Sequence, residues 1–147
     1  MLLISFLVLG FGLASDANAR ITKAWRYQEM FDKADLVVIA RVAATKDIDE
    51  RSTILTLNVI GVVTEFRTHL ILKGDRSIKT FQLHHYRLAS ESDKWNIANG
   101  PNFIRFSWEH PPFLLFLTKE SDGRYVPVTG QEDPDAFSVL ELRGGAD

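Results

Sequence analysis

The chain has no cysteine among its 147 residues, which removes disulfides, a thiol nucleophile and a lipid-anchored cysteine together. It has no run of five like charges, so neither an acidic tail nor a basic arm is present. A formal charge of −2 and a pI near 6.1 give no sign of the basic stripe that nucleic acid demands, so nucleic acid is not expected as a partner. Gly and Pro are sparse, 9 and 5 residues, too few for a low-complexity segment. There is no repeat at solenoid or propeller periods. Gly-x-Ser-x-Gly, His-Glu-x-x-His, Gly-x-x-x-x-Gly-Lys and Gly-x-Gly-x-x-Gly are all missing. Serine chemistry would have to draw on residues that fall in polar turns or loops, apart from Ser107 and Ser138. No catalytic residue is therefore assigned, and no cofactor.

What is present begins with a segment unlike the rest. Residues 2–13, LLISFLVLGFGL, carry no charge and run into ASDANA, which ends in an Ala-x-Ala pattern. This reads as a signal peptide over residues 1–19, cleaved after Ala19, with residues 20–147 as one domain. No Lys or Arg precedes the apolar run, so either the amino group of Met1 is its only positive charge or the true start lies upstream. Twelve residues at helical rise cover about 18 Å against a hydrocarbon core of roughly 30 Å, so no membrane span is expected. The expected location is secreted or periplasmic. At 46% hydrophobic and 24% charged, the chain has the composition of a globular domain, and 128 mature residues can bury a core without disulfides.

Beyond the cleavage site, Tyr27, Phe31 and Ala34 share one helical face after a candidate N-cap at Thr22. ADLVVIARVAAT (34–45) then predicts a buried strand and KDIDERS (46–52) a loop. Alternation in TEFRTHLILKGD puts Phe66, Leu70 and Leu72 on one side of the next strand and Glu65, Arg67 and His69 on the other. Gly74-Asp75 has turn chemistry, FQLHHYRL follows as a strand, and FIRFSW (103–108) reads as another. Pro111-Pro112 place the start of the next strand at Phe113, and Asp122-Gly123 turns it into RYVPV. DPDAFSVLEL predicts a closing helix with Asp133 as N-cap, Pro134 at N1 and Phe137 and Leu140 inward. The expected fold is mainly β: a small antiparallel OB-like barrel with a short helix near each end.

His84 and His85 are half of the four histidines, and adjacent strand residues point to opposite faces. Pairing Phe66 with His85 and Leu70 with Phe81 joins the apolar faces. In that register His84 sits outside opposite Arg67, with His69 on the diagonal, while His85 is a hydrogen-bonded core residue. His69 and His84 are thus the candidate metal ligands, lacking an acidic third partner; without one, the expectation is no metal. Glu132, Asp133 and Asp135 imitate a calcium loop, but helix capping explains them without an ion. Aromatics concentrate between Trp95 and Phe116, mostly as core, and Trp95 in a polar loop is the candidate ligand contact.

ADLVVIARV, TEFRTHLILKGD and PPFLLFLTKESDGRYVPVTGQEDP together resemble an uncharacterised family of exported bacterial proteins. The same order over roughly 34–140 resembles the netrin-module and TIMP-like domains, which are five-stranded OB-fold barrels. TIMP-like inhibitors present an N-terminal Cys-x-Cys to a target's zinc. A chain beginning near ARITKAW without cysteine departs from that, so no inhibitory residue carries over. The expected function is a non-enzymatic module binding a protein, peptide or glycan in the cell envelope or outside the cell. The alternative is a metal-dependent or hydrolytic enzyme using surface histidines and carboxylates.

Overall fold

The computed structural model describes residues 23–90 and 100–143. One helix, α1 (Tyr27–Lys33), precedes six strands: β1 (Leu36–Ile54), β2 (Leu57–Lys73), β3 (Thr80–Leu88), β4 (Phe113–Lys119), β5 (Tyr125–Pro127) and β6 (Val139–Glu141). β1, β2 and β3 form a meander, and β4 returns by a long connection to lie antiparallel beside β1. That spatial order, β4-β1-β2-β3, is a Greek key. β5 pairs with β4 and touches β3 through one parallel bridge, Leu83 to Tyr125, which closes an irregular ring of five strands.

The interior is apolar because each strand sends alternate residues inward. Phe66 sits at its centre, stacked on Phe81 at 5.4 Å and met edge-on by Phe106 at 5.3 Å and Phe113 at 6.2 Å. α1 covers the outside of the β1–β4 seam, burying Met30 and Ala34 against Val37 and Phe116. Its last turn is held by Lys73 Nζ, which donates to the carbonyls of Phe31 (2.8 Å) and Asp32 (2.9 Å) and so satisfies the free end of the helix. The expected inward face is only partly correct, since Tyr27 is exposed. Thr22 lies outside the described residues.

Three expectations are corrected. Residues 46–52 are not a loop but continue β1. Beyond Ala40 that strand has left β4 and pairs only with β2, and a strand with one open edge tolerates charges that a buried one does not. Residues 103–108 form no strand; Phe106 drops its ring into the core from an unpaired segment. The closing helix is absent as well. Asp133 does cap, accepting the N–H groups of Asp135 (3.1 Å) and Phe137 (2.8 Å). Ala136 then takes a left-handed φ of 49°, and the chain becomes β6, pairing Leu140 with Leu114. Packing on β4 overrides the local helix signal. The Phe113 start and the Asp122-Gly123 hairpin stand as expected, Gly123 supplying a φ of 92°.

Candidate functional site

The two adjacent histidines do face opposite ways, in a register four residues from the expected one: Phe66 pairs with Phe81, Val62 with His85 and Val63 with His84. An even shift keeps each side chain on its face. His85 points into the ring, where its Nε2 lies 2.8 Å from Thr64 Oγ1, itself 3.0 Å from Thr45 Oγ1. Burial pushes its pKa down to about 4, with the His84 charge acting the same way. It is a neutral, hydrogen-bonded core residue.

His84 takes the outer face yet is only 5% exposed, because two carboxylates close over it. Its Nδ1 is 3.1 Å from Glu120 Oε2, and its Nε2 is 3.4 Å from Glu50 Oε2 without hydrogen-bond alignment. Glu50 arrives there through a bulge. Between the pairs Asp47–Val62 and Arg51–Ile60, three residues of β1 stand against Gly61 alone. A Cβ at Gly61 would lie 2.9 Å from both Glu50 Cβ and Ile48 Cγ1, so only glycine lets Glu50 lie across β2 and reach β3. Glu50 also accepts the Tyr86 hydroxyl; burial and that carboxylate raise the Tyr86 pKa to about 12, keeping it a donor. Glu120 in turn faces Arg124 at 3.6 Å. The cluster clasps β1, β3 and the β4–β5 turn. Its carboxylates take opposite imidazole nitrogens, so the three groups do not converge on one ion, and no metal-binding group occurs among the described residues.

A second bulge pair lies at the far end of the same hairpin. Ile39 pairs with Leu70 and Ala40 with Thr68, leaving His69 extra; Val37 pairs with Lys73 and Val38 with Ile71, leaving Leu72 extra. One extra residue flips the alternation. Ile71 therefore packs against the core, while Leu70 and Leu72 stand 52% and 46% exposed. This corrects the expectation that they share the face of buried Phe66. β3 begins opposite Arg67, so past Thr68 the outer edge of β2 has no strand beside it. Residues 74–79 run back alongside, joined to it by one backbone bond, Thr68 N–H to Lys79 O at 2.9 Å. Between them lies a groove of about 480 Å³ walled by Leu70, Leu72, Ile78, Arg76 and Lys79. The Thr68 hydroxyl at its head is buried with no hydrogen-bond partner.

The structure does not bring His69 and His84 together. His84 lies opposite Val63, not Arg67, and six strand residues from Val63 to His69 span about 20 Å. Trp95 falls outside the described residues. Another groove, about 390 Å³, opens beside His85 between Phe103 and Arg87, where Arg87 is anchored by Asp47. Sequence reasoning missed Glu50, Glu120 and Tyr86, and the exposed leucines. Two signals were available: Gly61 inside a strand pattern, and Leu70-Ile71-Leu72, three consecutive apolar residues that cannot all face inward. Compared with known proteins, the sequence matches no family model and no curated protein.

Proposed function

We propose that the chain is an exported, non-enzymatic binding module on an OB-like barrel, and that it takes a partner polypeptide along the free edge of β2. The export part rests on residues 2–13 and the Ala-x-Ala pattern at Ala17–Ala19. The OB-like part is supported by five strands closing in Greek-key order. The observation that carries the binding role is the exposure of Leu70 and Leu72 beside a strand edge flanked by residues 74–79 and by no strand. A protein of this size gains nothing in its own core from leucines held in water, whereas open edges and apolar grooves are where extended segments add to a sheet. The enzyme alternative draws on the row Glu50–His84–Glu120, but an imidazole 5% exposed gives a substrate no approach.

The test is capture from the envelope fraction of the native host by the tagged protein and by its Leu70→Asp/Leu72→Asp variant, after matching their urea unfolding curves. The reading requires at least one protein held by the first and lost with the second. An identical captured set from both baits removes the β2 edge as the contact surface.

A further inference from the structure

The geometry points to an acidic, extended peptide segment as the occupant of the β2 edge groove; this rests on the reading of that edge as the contact surface and adds the chemistry of what it holds. The chain as a whole is slightly acidic, −2, yet the groove is basic. Arg76 and Lys79 form its outer wall beside Leu70 and Leu72. Both are exposed, and no ion pair or hydrogen bond engages either side chain among the described residues. The ladder leading to the groove adds two more cations: Arg41 and Arg67 stand directly opposite each other on β1 and β2, exposed and likewise without a carboxylate partner. Like charges opposed across a strand pair destabilise it. Elsewhere on the surface Arg87 pairs with Asp47, Arg124 with Asp122 and Arg143 with Glu141. The exposed Arg26, Lys46, Arg51 and Lys119 carry no ion pair either among the described residues, so what marks the groove is the gathering of its cations beside exposed leucines. Four cations without partners around one apolar edge are complementary to a segment that brings carboxylates of its own.

The same charges argue against a second copy of this chain as the occupant. A two-fold pairing of β2 edges sets each patch against itself, bringing Arg76 and Lys79 of one chain toward the same residues of the other. An acidic partner meets them with opposite charge, and alternation along an extended segment lets apolar side chains reach Leu70 and Leu72 while the others meet the cations.

The experiment uses two fluorophore-labelled peptides, one alternating Glu with Val and one alternating Lys with Val, titrated with the protein and followed by anisotropy. Expected is binding of the Glu peptide about tenfold tighter than the Lys peptide, weakening with added salt, and a reversed preference in Arg76→Glu/Lys79→Glu. Those two side chains touch no partner, so the variant's unfolding curve should match the parent's. Equal affinity for both peptides, lost in Leu70→Asp, overturns the acidic-partner inference and leaves the edge as contact surface. No binding of either peptide overturns both, with the cations then serving to guard an open edge. A protein that sediments as a dimer, and as a monomer after Leu70→Asp, overturns the inference in favour of self-pairing.

Discussion

The β1–β2 hairpin carries four register shifts, and those toward its two ends have opposite effects. At Gly61 the excess length is on β1, and the bulge folds a carboxylate over the sheet so that a histidine is buried and a tyrosine half-buried beneath it. At His69 and Leu72 the excess is on β2, and leucines are turned out into water. One bulge hides polar groups and the other displays apolar ones, each against the usual direction of burial. The cluster binds three parts of the fold together through Glu50, Tyr86 and Glu120, with His84 Nε2 left without an aligned hydrogen bond. The displayed leucines and the cations beside them are satisfied by nothing in the described chain.

The largest effect expected separates Phe66 from Leu70, four residues apart on the face that simple alternation assigns to both. Phe66→Ala should cost about 3–5 kcal/mol in urea unfolding, because it empties the centre of the aromatic core. Leu70→Ala should stay within about 0.5 kcal/mol. Comparable losses would mean that Leu70 is packed and the bulge at His69 misplaced.

The two histidines provide the next contrast. The folded state holds His85 neutral down to about pH 4, whereas the unfolded chain protonates it near the ordinary histidine value of 6.5. The unfolded state therefore binds more protons in that window. Stability from this residue is complete above pH 6.5 and is lost as pH falls toward 4, by roughly 3 kcal/mol. His85→Gln should flatten that part of the pH–stability curve; an unchanged slope would place the imidazole in water.

A smaller effect tests the first bulge. Gly61→Ala drives a methyl group against Glu50 and Ile48 and should cost about 1–3 kcal/mol. The same change should loosen the Tyr86–Glu50 contact, read as a fall in the Tyr86 titration midpoint from about 12 toward 10. A midpoint that stays at about 12 would show that Glu50 reaches Tyr86 without needing the glycine.

Much of this was legible locally. The opposite facing of His84 and His85 follows from strand geometry alone, and survives a register error of four residues because that error is even. The Phe113 start follows from two prolines, and the β4–β5 turn from Asp122-Gly123. Asp133 was recognisable as a cap, though not what it caps. The candidate site was scarcely legible: Glu50 and Glu120 lie 34 and 36 residues from His84 and come from strands and turns that meet it only in the ring.

The sequence by itself determined a β-rich chain, its tight turns, and which residues of a regular strand share a side. These rest on φ preferences and a two-residue period, both properties of neighbouring residues. The tertiary structure alone decided where the period breaks, which strands close the ring, and that residues 139–141 pair with β4 instead of continuing a helix. A bulge exists because two paired strands differ in length between fixed contacts, and neither strand contains that difference in its own sequence.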